Sequence, residues 1–399
     1  MGAWRGLQAA GESAGARKTL ALPAVLMPYR AVNPLGGGVQ QMTLGAVRPT
    51  AAQLRRFAEM PVARRAINVV KDRIAGMDWQ VRFKRDVASE GMDAETLRLL
   101  RRTLEMPNPG DSFRTLLEQV LEDVIVGGFG AVEMELTGEA AAPFRLWPVD
   151  GASIQVNAQW DGSADSARYA QVTGKFGAEG QVPLLDAELM YVRLNPRSHT
   201  PFGLGRLEVA YETVRQFAEA GRYAGRLAGN GVQQFALWME ESTPEQQERM
   251  TRWWQEEIEG TGQVPILTTE KKPEVLRFAG GTDADLHLGW QEFLLRMIAN
   301  AFDLPPMMLG LQHDVNQSTA NEMANEAFES AIKPVAKLVA EHLTRDLFSK
   351  RLGMGEVEFV FNDLMARDET AEVAMQMELL KAGVLTVAEV RAMRGLALA

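Results

Sequence analysis

Two pairs of adjacent carboxylates, Glu240-Glu241 and Glu256-Glu257, carry the side-chain type needed for general acid–base work. Neighbours on a helix point in different directions, and both pairs lie in polar surroundings. The spacing therefore describes a solvated surface rather than two carboxyls held at one reacting atom. Glycine-rich segments raise phosphate binding. Gly127-Gly128-Phe129-Gly130 lies near a strand, but its spacing is not the dinucleotide fingerprint and its order is helix–loop–strand, which leaves a tight turn. Gly203-Leu204-Gly205 precedes a helix whose first N–H groups could meet an anion, and a turn that opens the helix needs the same glycines. There is no Walker A loop. The four histidines, His199, His287, His313 and His342, are far apart and none has HExxH spacing. With no cysteine, thiol catalysis, disulfides and Cys-ligated zinc are excluded. No catalytic residue, metal ligand or cofactor site is assigned, and the expectation is a protein that is not an enzyme.

The bulk composition narrows the classes further. The chain has 399 residues, 46% hydrophobic and 24% charged, which excludes wholesale disorder and suits two to three domains or one elongated body. Forty-two Lys and Arg against 52 Asp and Glu give a net charge of −10, which argues against gripping nucleic acid by phosphate neutralisation. Acidity is concentrated in residues 240–259, where seven glutamates face two arginines for a net −5. Such a surface repels phosphate or docks a basic partner, or serves only solubility. Within it, Trp253-Trp254 places one indole toward a core and the other on a rim or interface. Asn316-Gln317-Ser318 fits a glycosylation pattern without a secretion signal to give it meaning. No apolar run approaches a membrane span, and the short stretch at 20–27 is broken by Pro23 and Pro28. The expectation is a soluble protein made in the cytosol, with no membrane partner.

The elements that must position these residues follow from periodicity. The first ~45 residues are rich in Gly, Ala and Pro and read as an arm. A capping box, Thr50-x-x-Gln53, opens a helix, and a second follows Pro61 with Ala63, Ile67, Val70 and Ile74 on one face. A strand at 78–83 leads to helices through Leu97–Leu104 and Leu116–Val124, the latter capped by Asp111 or Ser112. Short strands then alternate with exposed hairpins at 157–186, so that 50–202 reads as one α+β domain. After Pro201 a long helix has an unusually small-sided face, through Ala210, Gly221, Ala224 and Ala228. Those residues suit packing inside one subunit or close approach of identical helices in a ring. A compact insert follows: strand 235–239, a helix opened by the capping box Thr243-Pro244-Glu245-Gln246, and strands 264–268 and 275–278. A second long helix at 286–302 stops at Leu304-Pro305-Pro306. After a polar stretch at 310–318, a capping box at Thr319-x-x-Glu322 starts a helix of ~30 residues, or ~45 Å. Pro334 in its middle removes the bond to the Ser330 carbonyl and predicts a kink. A strand at 356–361 and tail helices from 369 and 386 complete the chain.

Five runs in this order resemble tailed-phage portal proteins of the HK97 type. They are Gly127-Gly128-Phe129-Gly130-Ala131-Val132-Glu133 with Leu146-Trp147-Pro148-Val149-Asp150, and Phe202-Gly203-Leu204-Gly205-Arg206-Leu207. The third is Ile298-Ala299-Asn300-Ala301-Phe302-Asp303-Leu304-Pro305-Pro306-Met307-Met308-Leu309-Gly310. The fourth is Phe328 with Pro334, and the fifth Gly383-Val384-Leu385-Thr386-Val387-Ala388-Glu389-Val390-Arg391. Arg206 and Leu207 depart from the family's small residue and Pro. The resemblance implies an α+β portal fold: an N-terminal arm (1–40), an α/β wing (41–202), stem helices (203–231 and 286–310), a small α/β clip insert (232–285), a tunnel loop (311–319), a kinked wing helix with its returning strand (320–362) and a short helical crown (363–399).

It also implies a ring at one capsid vertex, dodecameric in the family, through which double-stranded DNA is packaged and ejected. The implied partners are other copies of the chain, the DNA, the terminase large subunit, a head–tail adaptor and the major capsid protein. The implied location is the virion, after assembly in the host cytoplasm. The implied site residues are a DNA-facing tunnel loop (Gln312, His313, Asp314, Asn316, Gln317, Ser318, Thr319), the helix kink at Pro334 and a clip interface (Glu245, Glu248, Trp253, Trp254, Glu256, Glu257). Another ring of the head–tail connector would usually be much shorter, and a carboxylate-based hydrolase finds no support in the spacing.

Overall fold

The computed structural model describes residues 25–26, 49–84, 94–157, 159–172, 180–228, 235–238, 243–253, 274–277, 288–311, 317–387 and 390. The chain divides into two compact units, one of residues 1–214 with 295–399 and the other of residues 215–294.

In chain order, the elements are β1 (Val25–Leu26), α1 (Ala51–Ala58), α2 (Pro61–Ala75), β2 (Trp79–Phe83), α3 (Ala94–Glu105), α4 (Phe113–Gly127), β3 (Phe129–Glu139) and β4 (Ala142–Val149). Then come β5 (Ile154–Asn157), β6 (Ala167–Val172), β7 (Gln181–Leu185), β8 (Leu189–Arg193), α5 (Arg206–Ala228), β9 (Phe235–Trp238), α6 (Pro244–Trp253), β10 (Glu274–Arg277) and α7 (Leu288–Ala301). Last are α8 (Gln317–Ala327), α9 (Lys333–His342), β11 (Val357–Phe361) and α10 (Asn362–Lys381). Among the described residues no helix is long and apolar enough to cross a membrane.

The larger unit is a helical layer against small antiparallel sheets. The Thr50 hydroxyl accepts from the Gln53 N–H at 3.2 Å while the Gln53 side chain accepts from the Thr50 N–H at 2.8 Å, the reciprocal box that starts α1. Ala63, Ile67, Val70 and Ile74 of α2 are buried, as are Leu116, Leu117, Val120, Leu121 and Val124 of α4. Arg64 joins these two helices by a fork onto Glu122 at 2.8 and 2.6 Å. Ser112 caps α4, accepting from the Thr115 N–H. β4-β3-β8 form one sheet, and β1-β5-β6-β7 a second. β2 pairs with β11, from the last third of the chain, with Trp79 opposite Phe361. Trp79, Phe113 and Phe359 stack around that pair at centroid distances of 4.8 to 5.6 Å.

Three expectations change. The segment 157–186 carries strands β6 and β7 as well as turns, because Ala167, Tyr169, Ala170 and Leu184 turn apolar side chains into a core. The helix expected to open at Thr319 begins at Gln317, so Thr319 lies inside its first turn and is not its cap. Ala320, Glu322, Met323 and Ala324 are strong helix formers, and the helix they form extends back over Ser318 and Gln317. The tail helix begins at Asn362 rather than near 369, running straight on from β11.

The smaller unit holds the far part of α5, the antiparallel pair β9–β10 with Trp238 opposite Glu274, α6 and the start of α7. α6 opens with the reciprocal pair Thr243 and Gln246, at 3.1 and 3.4 Å. The expected strand 264–268 lies outside the described residues.

Candidate functional site: the junction of the long helices

Arg206, the first residue of α5, is a buried guanidinium with two partners. It donates to the Ala331 carbonyl at 2.9 Å and pairs with Asp303 Oδ2 at 3.1 Å. Burial pushes its pKa below the usual arginine range, and the Asp303 charge opposes that shift. Asp303 lies two residues beyond α7, and its φ of 56° is a left-handed turn that a short polar side chain tolerates. Its carbonyl accepts from the Ser330 hydroxyl at 2.9 Å. One residue pair therefore joins the start of the first long helix, the end of the second and the middle of the third.

The third helix is irregular at this point. Residues Phe328–Ile332 form a π-helical turn, in which the hydrogen-bond register widens by one residue, between α8 and α9. Pro334, the second residue of α9, follows at once. A proline has no N–H to give its preceding turn, and the change of register beside it takes up that defect. Beside it, the Ala331 carbonyl accepts from Arg206.

From Asp303 the chain passes through Pro305 into a 3-10 turn, Pro306–Leu309, and closes it with Gly310 at φ 96°. Arg65 of α2 donates to the Met308 carbonyl at 3.1 Å and holds this turn. Residues 312–316 thus begin one residue beyond a turn fixed on α2 and end at Gln317, the first residue of α8.

The glycine motifs belong to the same framework. Gly128 caps α4 in the left-handed region at φ 87°, and its carbonyl accepts from the Leu194 N–H at 2.8 Å. The Leu204 N–H donates to the Leu194 carbonyl, also at 2.8 Å. A Cβ on Gly203 would run into the backbone oxygens of Gly128 and Leu194, and one on Gly205 into the Val126 carbonyl. The two motifs, some 70 residues apart, are halves of one backbone contact that fixes the approach to α5, and that contact, rather than phosphate binding, accounts for their glycines.

The structure describes only part of the expected site. Gln312, His313, Asp314 and Asn316 lie outside the described residues. Gln317, Ser318 and Thr319 lie in the first turn of α8. Glu245 and Glu248 are exposed on α6, which ends at Trp253; the Trp253 side chain, Trp254, Glu256 and Glu257 lie outside the described residues, as do Glu240 and Glu241. Arg206 was legible only as a departure from the family pattern, because its partners are 97 and 125 residues away.

The profile of the phage portal protein family matches residues 61–395. The chain belongs to that family. A portal protein stands at a vertex of a virion's capsid, and the family is a structural one. Solved structures agree in fold. A chain from the virion of a native gene transfer agent particle has a TM-score of 0.61 at 18% identity, covering 99% of both chains. A chain from the neck of a native gene transfer agent particle, computed with C12 symmetry, has 0.61 at 19%, covering 89% of this chain and 96% of that one. The crystal structure of an HK97-family phage portal protein from Corynebacterium diphtheriae has 0.52 at 14%, covering 82% and 99%. No curated protein sequence matches. In portal terms, the mixed helix and sheet content is that of the family, and Arg206, Asp303 and Ala331 join its long helices.

Proposed function

We propose that this portal protein assembles as a closed ring, a dodecamer, and acts as a passive channel for double-stranded DNA during packaging and ejection. The observation that carries this reading is the Arg206 junction, which ties three long helices together close in sequence to the polar segment 312–316. A rigid frame joined in sequence to a polar, weakly charged segment suits a constriction through which DNA must slide. Each Lys or Arg bound to phosphate adds affinity through counterion release and acts as a brake, and this segment has none of either.

In this reading Gln312, His313, Asp314, Asn316, Gln317, Ser318 and Thr319 face the DNA, and Pro334 sets the course of the wing helix. The insert 232–285 is the clip. Its Glu245, Glu248, Trp253, Trp254, Glu256 and Glu257 meet the terminase large subunit, which supplies ATP hydrolysis, and later a head–tail adaptor. The major capsid protein surrounds the wing, and the chain itself catalyses nothing. Replacing Gln312 and Gln317 with Lys tests the channel: packaging slows, and raising the salt relieves the slowing. Equal packaging rates for wild type and variant at low and high salt would overturn it.

A further inference from the structure

Against a chain charge of −10, one cavity of the larger unit is locally cationic. It holds about 190 Å³ between β6, β8 and the π-helical segment Leu343–Arg351 that continues from α9. Arg168 enters it from β6, Arg193 from β8, and Arg345 and Lys350 from the helix, while Asp186 and Asp346 are the carboxylates that line it.

Those two carboxylates are already shared. Asp186 takes both Arg168 and Lys350, the latter at 2.7 Å. Asp346 takes Arg345 at 2.8 and 2.9 Å and lies 2.7 Å from His342 Nδ1. Burial opposes the ionisation of Asp346, but the hydrogen bonds from His342 and Arg345 outweigh it and hold the carboxyl well below its usual range. Arg193 has no carboxylate partner among the described residues; its guanidinium donates to the Pro201 carbonyl at 3.3 Å. Counting the arginines and the lysine against the two aspartates, four cations face two anions, a surplus of two positive charges. The buried Tyr169 hydroxyl, pushed up to about 12 chiefly by burial, adds no charge.

We propose that this cavity binds a small oxyanion of the phosphate class between Arg193, Arg168, Arg345 and Lys350. Guanidinium groups on two sides match the oxygens of a tetrahedral anion. The volume sets the size. At about 30 Å³ per water it equals about six waters, and it lies below the roughly 300 Å³ at which sites for drug-sized ligands begin. One phosphate with its remaining water fits. Bound there, the anion would tie the hairpin strands to the long helix.

Calorimetric titration of the full chain with inorganic phosphate, at constant ionic strength in chloride, tests this. Saturable binding is expected, weakened about tenfold or more in Arg193→Gln. Arg168→Gln is a second variant for the case in which the first does not fold. A short DNA duplex distinguishes the source. Competition with phosphate that is lost in Arg193→Gln assigns the oxyanion to a nucleic-acid backbone, and the absence of competition assigns it to the free ion; either supports the site. No saturable heat, or equal affinity in wild type and variants, overturns it.

Discussion

Arg206 and Asp303, 97 residues apart, form an ion pair at 3.1 Å that fastens the start of one long helix to the end of the next. The same guanidinium satisfies the Ala331 carbonyl beside the π-helical turn. Arg206→Met keeps the bulk and removes both contacts. Asp303 is half exposed and regains water, so the loss falls mainly on the buried contact between the guanidinium and the Ala331 carbonyl. About 2 kcal/mol of subunit stability should go, read as a lower thermal midpoint. Arg206→Lys, which cannot reach both partners as a fork, should recover only part of it. An unchanged midpoint in Arg206→Met would show that the junction is incidental.

Asp123 supplies a pH dependence. It accepts from the Gly151 N–H at 2.9 Å and lies 3.7 Å from Arg55, and burial lifts its pKa to about 6. A carboxyl whose folded pKa is raised favours folding below its unfolded value near 4 and loses that contribution as pH rises through about 6. Stability should therefore fall by at most about 3 kcal/mol across that window, a ceiling because a quarter of the side chain is exposed. Asp123→Asn should remove this part of the slope. Denaturation at several pH values checks it, and the same slope in wild type and variant would refute the assignment.

The glycine contact predicts a contrast. Gly203→Ala places a methyl on the Gly128 and Leu194 carbonyls and should yield an insoluble or grossly destabilised chain, by more than about 4 kcal/mol. Gly221→Ala, on α5 with nothing within 4 Å of its added Cβ, should stabilise the free subunit by about 0.5–1 kcal/mol. Soluble yield and thermal midpoint of the two variants decide this, and a well-folded Gly203→Ala would remove the contact from the account.

Pro334→Ala returns an N–H to the turn that now runs through the π register. The long helix should shift toward regular α-geometry and move Ala331 away from Arg206. Assembly or packaging should suffer more than subunit folding, compared by particle yield and by the melting of free subunits. Unchanged packaging would argue against any function for the irregular helix.

Local physics made much of this legible from sequence. The capping boxes at Thr50 and Thr243 involve residues three apart, and the apolar faces of α2 and α4 repeat within a few turns, so the elements announce themselves. The junction does not. Arg206 reads as an ordinary helix-opening residue until Asp303 and Ala331 are brought to it by tertiary packing. Gly128 and Gly203 read as separate turns because only the pairing of β3 with β8 makes them one contact. The start of α8, at Gln317 rather than Thr319, differs for the opposite reason. Thr319 offers a strong local cap, yet the helix built on Ala320, Glu322, Met323 and Ala324 runs back past it to Gln317.

The central claim is a ring with a channel, and electron microscopy of the assembled chain tests it most directly. The account predicts a closed ring, with twelve copies around an open central hole. A compact monomer or small closed oligomer without a central opening would contradict it.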